Sequence, residues 1–253
     1  MARVIAIANQ KGGVGKTATV ANLGAALAER GKDVVLIDLD PQAALTAGFG
    51  LDPYKITRTT YTLLTRDHIP FAGTLRPVAD RIHVCPASVD LAAAEIQLAN
   101  YPDRAYRLRD ALERNRMPFD FILIDTPPSV GVLTVNALSA ADELIVPVQC
   151  QYLPMRGVRA LLETVWLVHE RMNPKLDLLG VLPTMYRRAS KHSREVVQEL
   201  REVFADRVFD LTIVEDDAVA EAPVAKKSVL AYATGSEAAA GYRRLAEVIC
   251  NGR

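Results

Sequence analysis

The segment "ANQKGGVGKT" (residues 8–17) separates a short apolar run, residues 4–8, from a stretch with helical periodicity that begins near Gly15. Its end matches the last three positions of the phosphate-binding P-loop, G-x-x-x-x-G-K-[ST]. Gln10 replaces the first glycine of that pattern, however, and Lys11 adds a second lysine. The succession of apolar strand, glycine-rich loop and helix predicts a nucleotide-binding α/β protein.

A loop of this kind binds phosphate mainly through its backbone. Successive N–H groups point at phosphate oxygens, and the following helix adds partial positive charge at its N-terminus. Lys16 can reach the β- and γ-phosphates, and the Thr17 hydroxyl can coordinate Mg²⁺. The alternative is a glycine-rich turn without a ligand, but packing gives little reason for Gly-Lys-Thr at a helix start. We expect ATP to contact seven consecutive residues: Gly12, Gly13, Val14, Gly15, Lys16, Thr17 and Ala18.

The rest of the chain alternates between apolar runs and longer helical patterns. We predict strands at 3–8, 33–38, 81–86, 119–125, 143–148, 176–184 and 208–214, and helices near 15–30, 104–116, 155–172, 191–204 and 236–250. The region 48–80, rich in glycine and proline, is expected to form loops and short helices. Strands that are apolar throughout are covered on both faces. The sequence therefore predicts a single α/β domain over 1–253, with a doubly wound, mostly parallel sheet and helices on both faces.

Carboxylates follow two of the predicted strands. Asp38 ends one strand with Asp40 two residues later, and Asp125 ends another. Ligands of open α/β sheets bind at the carboxyl ends of the strands, where the P-loop also lies. We expect Asp38 and Asp125 to complete a Mg²⁺ site with Thr17, while a further carboxylate orients a water for attack on the γ-phosphate. The alternative interpretation is that these aspartates are helix N-caps or turn residues without a metal.

Composition excludes several classes of protein. Thirty Lys and Arg balance thirty Asp and Glu, so any nucleic-acid or membrane partner must be met by a local patch. The three cysteines are far apart and lack metal-ligand spacing, which is typical of reduced thiols. No apolar run approaches the roughly 18 residues of a membrane span, and charged Lys11 interrupts any signal-peptide core. We expect a cytoplasmic protein without a membrane partner.

Several segments together resemble the ParA/Soj family of partition ATPases, which has a deviant Walker A loop and belongs to the MinD/ParA superfamily. The segments are "KGGVGKT", "DLDPQAALTAGFGLDP", "VCPASVDLAAAEIQL", "FDFILIDTPPSVGVLTVNAL", "VPVQCQY" and "GVLPTMY". The likeness runs from residue 3 to about 186 and resumes less clearly from 208 onward. The resemblance implies a homodimer that encloses ATP and Mg²⁺ between its subunits. In that dimer Lys11 crosses to the partner's nucleotide, Lys16 serves its own subunit, Asp40 orients the water and Asp125 supports Mg²⁺.

The same resemblance implies a function. The protein would be an ATP hydrolase that is slow alone and binds DNA nonspecifically on the nucleoid. It would position a plasmid or chromosome together with a ParB-like adaptor that stimulates ATP hydrolysis. Adenine is expected near Met185 and Val214. A second lysine in the loop fits this scheme, because it can deliver charge to a neighbouring subunit's triphosphate in the manner of an arginine finger. The alternative interpretation is that Lys11 is a solvated surface residue that contacts no nucleotide.

The resemblance weakens in residues 212–232. Val214 stands where the family has proline, and Ala218 replaces a basic residue associated with DNA binding. A separate run, "RRASKHSR" (187–194), contains no acid, and some of its cations fall at helical spacing. We expect nonspecific DNA contacts from Arg187, Arg188, Lys191 and Arg194. The alternative for this run is an ordinary solvated helix face.

Two other functions use the same scaffold. A MinD-like membrane-cycling ATPase needs a basic amphipathic helix, and the last segment, "GYRRLAEVICNGR", offers two arginines with little exposed apolar surface. A metabolic ATP-dependent ligase needs substrate-binding motifs, which the sequence does not display.

Overall fold

The computed structural model describes residues 2–67, 69–114, 117–151 and 155–252, with the backbone alone at 155–160. The strands are β1 Arg3–Ile7, β2 Val34–Asp38, β3 Arg76–Ala79, β4 Ile82–Cys85, β5 Phe121–Asp125, β6 Glu143–Gln149 and β7 Asp177–Thr184. The helices are α1 Lys16–Glu29, α2 Ala44–Gly48, α3 Thr60–Thr65, α4 Phe71–Thr74, α5 Leu91–Leu98, α6 Arg107–Arg114, α7 Val132–Ala140, α8 Met155–Arg171, α9 Lys191–Phe204, α10 Asp217–Glu221, α11 Val229–Tyr232 and α12 Glu237–Cys250.

The strands form one seven-stranded sheet in the order β3-β4-β2-β5-β1-β6-β7. Every pairing is parallel except that of β3 with β4 at one edge. The chain leaves β1 toward β2 on one side, whereas β5 leads to β6 on the other side of β1. This reversal opens a crevice at the carboxyl ends of β1 and β5, where open α/β sheets bind their ligands.

Alternate strand residues enter two separate hydrophobic cores, one on each face of the sheet. Ile5 and Ile7 of β1 pack in the core that contains α1 and α12, whereas Ala6 packs in the core on the opposite face. That opposite core contains buried residues of α5, α6, α7 and α9. The predicted doubly wound architecture is therefore confirmed, and it holds β1 rigidly in the middle of the sheet.

The predicted strand at 208–214 is wrong. These residues run beside β7 and the residues after it without forming a strand, and their bridges are isolated: Val208 with Val181 of β7, and Val214 with Tyr186 just beyond it. The Pro183 carbonyl accepts from the Ile213 N–H at 2.9 Å, so the backbone of Pro183 faces this segment. Because proline has no N–H to donate in return, a continuous ladder cannot form there.

The region 48–80 contains the expected short helices and, in addition, the antiparallel edge strand β3, which the sequence analysis missed. Helices α2, α5, α7, α10 and α11 were not predicted either. The predicted helix at 104–116 is shorter, Arg107–Arg114, and residues 115 and 116 lie outside the described part of the chain. The predicted helix at 191–204 is confirmed as α9.

Candidate functional site

The loop between β1 and α1 has the backbone of a phosphate cradle. Gly13 and Gly15 adopt left-handed conformations, with φ of 72° and 88°, which a side chain would strain. No side chain caps the start of α1, so the N–H groups of its first turn remain directed toward the loop. Thr184 supports the loop from β7, since its hydroxyl donates to the Val14 carbonyl at 2.9 Å.

Lys16 lies inside this loop. Its side chain is buried, with only 7% of the residue exposed, and its Nζ donates to the Lys11 carbonyl at 3.2 Å. Burial lowers the pKa of Lys16, while the carboxylates of Asp125 and Asp40 raise it in partial compensation. A cation held in this way has lost much of its water and is ready to bind phosphate.

Lys11 points elsewhere. Its backbone N–H donates to the Asn9 side chain at 3.0 Å, and its Nζ donates to Gln149 Oε1 at 3.2 Å. Gln149 is the last residue of β6, the strand beside β1. The two lysines of the loop therefore occupy different environments, one within the cradle and one at its rim.

Asp38 and Asp125 end neighbouring strands, lie opposite each other in the β2–β5 register and are fully buried. The Asp38 carboxylate accepts three hydrogen bonds: from the Asp40 N–H at 3.1 Å, the Thr46 N–H at 2.9 Å and the Thr46 hydroxyl at 2.6 Å. Burial raises the pKa of Asp38 to about 6, although these hydrogen bonds oppose the rise.

Asp125 has no such support. Neither of its carboxylate oxygens accepts a hydrogen bond of ordinary geometry, and both are buried. Burial, followed by the charge of Asp38, raises the pKa of Asp125 well above its usual value, while the nearby Thr17 hydroxyl lowers it. Buried polar atoms are rarely left without a partner, and such an orphan is expected where an ion or ligand binds.

The orphaned carboxylate fits a divalent cation. In the described residues no three His, Cys, Asp or Glu side chains are grouped so as to hold a metal by themselves. Mg²⁺ in nucleotide sites is typically held by one or two protein oxygens, water and substrate phosphates. Thr17 and Asp125 provide two such oxygens at the mouth of the loop, so the residues present match Mg²⁺ bound together with a nucleotide.

A cavity of about 480 Å³ joins the loop to the later part of the chain. From the predicted set it is lined by Gly12, Gly13, Gly15, Lys16, Thr17, Ala18, Asp40, Met185 and Val214. The other residues predicted for this site, Lys11, Val14, Asp38 and Asp125, do not line it, and all of them except Lys11 are buried. Asp40 reaches the cavity from a tight turn in which its carboxylate accepts the Gln42 N–H at 2.9 Å.

Other lining residues were missed by the sequence analysis. They are Pro128, Thr184, Ile213, Glu215, Asp216, Asp217, Val219, Ala220 and Tyr242. Pro128 lies three residues after β5, and Thr184 is the last residue of β7. Both strands were predicted, so the carboxyl ends of these strands could have indicated both residues. The segment 213–220 carries no comparable pattern, and only its packing against β7 brings it to the loop.

The proposed DNA-binding cations differ from expectation in two ways. Helix α9 begins at Lys191 with Ser190 as its cap, so Arg187 and Arg188 precede the helix and share no helical face with it. Three of the four side chains also pair with carboxylates. The pairs are Arg187 with Glu215, Arg188 with Glu237 at 3.2 Å, and Lys191 with Glu195 at 3.3 Å. Arg194 donates to the Arg188 carbonyl at 2.9 Å.

The last helix turns its apolar side inward. Tyr242, Leu245 and Ile249 of α12 are buried in the same core as α1. Within the described ranges no helix combines the length and apolar character needed to cross a bilayer.

Comparisons with known proteins agree with this geometry. A family model described as an AAA domain matches residues 2–178. The chain is 42% identical to the chromosome partitioning protein ParA of Caulobacter vibrioides over 254 residues, covering 99% of this chain and 95% of that protein. It is 44% identical to the chromosome-partitioning ATPase Soj of Thermus thermophilus over 247 residues, covering 98% of this chain and 95% of that protein.

A solved structure described as cobyrinic acid a,c-diamide synthase from Mycobacterium smegmatis, with bound ADP and magnesium, is 39% identical. It superposes with a TM-score of 0.88 and covers 99% of this chain and 95% of that one. Sequence likeness to the partitioning proteins extends over almost their whole length. The chain therefore belongs to the ParA/Soj family of chromosome-partitioning ATPases.

Proposed function

We propose that this chain is a Mg²⁺-dependent ATPase switch that dimerises on ATP, binds DNA nonspecifically and is reset by a ParB-like adaptor. The observation that carries the proposal is the orphaned carboxylate of Asp125, which is buried near Lys16 and Thr17, two residues that line the cavity. A carboxylate without a partner at this position is explained by a cation that arrives with the nucleotide.

Each residue of the site then has a chemical task. The loop amides and Lys16 hold the β- and γ-phosphates, with adenine between Met185 and Val214. Thr17 and Asp125 hold Mg²⁺. Asp38 was also predicted as a metal ligand, but both of its oxygens already accept hydrogen bonds from Asp40 and Thr46, so we assign it the role of keeping the local charge negative. Bound Mg²⁺ neutralises charge on the phosphates. Asp40 orients the attacking water.

Hydrolysis by one subunit should be slow, because its γ-phosphate then has Lys16 and Mg²⁺ but not the second lysine of the complete site. Lys11 supplies it from the partner subunit. Charge placed against a transferring phosphoryl group from a second protein accelerates such reactions strongly. The ParB-like adaptor raises the rate further and so resets the dimer to monomers.

DNA binding follows from dimerisation. The side chains of Arg187, Arg188 and Lys191 are paired with carboxylates at the surface, so phosphates must displace those partners. Exposed ion pairs are weak, roughly 0–1 kcal/mol each, and exchange readily. One subunit presents few phosphate contacts, whereas a dimer doubles them, and the salt-dependent part of the affinity scales with their number.

The test is a DNA-binding titration of the purified chain without nucleotide, with ADP, and with ATP and Mg²⁺. Only the ATP sample should bind, equally to unrelated sequences, and its affinity should fall as salt is raised from 50 to 200 mM. Equal binding in all three samples, or none in any, contradicts the DNA-binding switch. On binding, the protein would be located on the nucleoid.

A second candidate function rests on the 39% identity to the structure described as cobyrinic acid a,c-diamide synthase. Addition of cobyrinic acid, together with an ammonium salt as nitrogen donor, to the chain with ATP and Mg²⁺ separates the two functions. A ligase would accelerate ATP turnover in response to this acid, whereas a partition ATPase would respond to DNA and its adaptor and ignore it.

A further inference from the structure

A continuous line of hydrogen bonds runs from Lys11 to Arg187. Lys11 Nζ donates to Gln149 Oε1 at 3.2 Å, and Gln149 Nε2 donates to Gln151 Oε1 at 2.9 Å. Gln151 Nε2 then donates to Glu215 Oε1 at 2.7 Å, and Arg187 donates to the same carboxylate oxygen at 2.9 Å. We call these five side chains the polar line.

The polar line connects three separate parts of the molecule. Lys11 belongs to the P-loop, and Gln149 and Gln151 lie at the end of β6 and just beyond it. Glu215 is one of the residues that line the cavity. The rim of the phosphate loop is thus joined, through side chains alone, to the segment expected to face adenine.

Chemistry at the two ends fixes the direction of every bond between them. A carboxylate only accepts, so Gln151 must present its NH₂ group to Glu215 and its oxygen to Gln149. Gln149 must then turn its NH₂ group to Gln151, which leaves its oxygen facing Lys11. An ammonium only donates, so this end is satisfied as well. Neither glutamine can flip its amide without breaking bonds on both sides.

We propose that Gln149 is a positioning residue for Lys11, which it holds on its own subunit until a partner's triphosphate competes for the ammonium. The proposal rests on the proposed function, because it assumes that Lys11 crosses to the partner in the ATP dimer. Gln151 and Glu215 act by locking the Gln149 amide with its oxygen toward Lys11. The contact is autoinhibitory: it must be broken once in each subunit before the dimer closes.

The Gln149 contact adds a free-energy cost to dimerisation that the partner's triphosphate can offset. A phosphate oxygen carries charge and binds an ammonium more strongly than a neutral amide oxygen does. The Gln149 contact therefore weakens the ATP dimer without preventing it. Removal of the amide oxygen should strengthen the dimer, and replacement by a carboxylate should weaken it.

The experiment measures the dimer dissociation constant by sedimentation, with the full chain, Mg²⁺ and a non-hydrolysable ATP analogue. Gln149→Leu should tighten the dimer by roughly tenfold, since one hydrogen bond per subunit no longer has to be broken. Gln149→Glu should weaken it by a similar factor, because its carboxylate holds Lys11 more firmly. Gln198→Leu is the matched control, since the exposed Gln198 side chain bonds Glu202 on the surface of α9, and it should leave the constant unchanged.

Opposite shifts from two substitutions at one position are the diagnostic result. A merely structural Gln149 would weaken the dimer in both variants, and that outcome overturns the inference, as does an unchanged constant for Gln149→Leu. Thermal unfolding and analogue binding by each monomer establish that the variants are folded.

Lys11→Ala distinguishes failure of this inference from failure of the proposed function. It should bind the analogue but not dimerise, and Gln149→Leu should not restore the dimer in that background. If Lys11→Ala loses the dimer while Gln149→Leu matches the wild type, only the positioning role is wrong. If Lys11→Ala dimerises as tightly as the wild type, Lys11 does not act across an interface and both proposals fail.

Discussion

Asp38 and Asp125 show how one residue type at equivalent strand positions acquires two different chemistries. Both are fully buried at the ends of adjacent strands. Asp38 accepts three hydrogen bonds from its surroundings, whereas Asp125 accepts none of ordinary geometry. The sequence could predict that both acids reach the site, because each follows an apolar run that marks the end of a strand. It could not distinguish them, because the difference depends on Thr46, which lies on another element.

That difference predicts opposite effects of the same substitution. Without nucleotide and Mg²⁺, Asp125→Asn should stabilise the fold, since it removes a buried carboxylate without partners. Asp38→Asn should destabilise it, because an amide NH₂ would face the donors of Thr46 or Asp40. Each effect should be about 1–3 kcal/mol, or a shift in Tm of roughly 2–12 °C. Thermal unfolding in EDTA measures both, and shifts of the same sign would contradict this account.

The Asp125 effect should depend on pH. In the unfolded chain this carboxyl ionises near its ordinary value of 3.8, whereas in the fold its pKa is raised well above that value. The ionisation penalty is therefore absent below pH about 4 and grows as pH rises toward the folded pKa. The stability advantage of Asp125→Asn should be smallest near pH 4 and largest above neutrality. Melting curves collected from pH 4.5 to 8 check the trend.

Lys16 and Asp40 should separate binding from turnover. Lys16→Ala should abolish ATP binding, because the phosphates lose the buried cation of the cradle. Asp40→Ala should bind ATP like the wild type and hydrolyse none, because it removes the group expected to orient water. Calorimetric titration and phosphate release measure the two properties. Hydrolysis by Asp40→Ala at the wild-type rate would assign the water to another residue.

Among the elements, those with a strong local pattern were predictable and those defined by contact were not. The five central strands and α9 appear where continuous apolar runs or helical periodicity indicate them. The segment 208–214 has the alternation of a strand, yet Pro183 on the neighbouring strand interrupts the ladder. A pattern within one segment cannot report a missing donor on its neighbour.

Close approach of this segment to β7 depends on Gly180. A Cβ added there would lie 2.7 Å from the Phe209 ring and 2.9 Å from the Arg207 carbonyl oxygen. Gly180→Ala should therefore push the segment outward and destabilise the fold by about 1–3 kcal/mol. Gly235→Ala, where a Cβ would meet nothing within 4 Å, is the control. Urea unfolding measures both, and equal stabilities would show that the segment adjusts freely.

For the whole molecule, the cavity joins regions that are remote in sequence, the loop at 12–18 and the segment from Thr184 to Ala220. A ligand bound across it stabilises the fold by mass action, about 2.7 kcal/mol at one hundred times Kd. Tm should rise by roughly 5–11 °C with a non-hydrolysable ATP analogue and Mg²⁺. EDTA should remove most of the rise, and Lys16→Ala should show none. A rise that is insensitive to EDTA would contradict the Mg²⁺ assignment.

The packing of α12 on α1 has a consequence for synthesis of the protein. The Asn22 side chain of α1 accepts the Val229 N–H at 2.7 Å, and Tyr242 of α12 is buried beside Thr19 and Asn22. A ribosome releases β1 and the phosphate loop first, long before the residues that support α1 and complete the cavity. A nascent chain therefore carries the motif without the site. ATP therefore cannot guide its early folding. A product truncated before α12 should be unable to dimerise with intact molecules and so should not inhibit them.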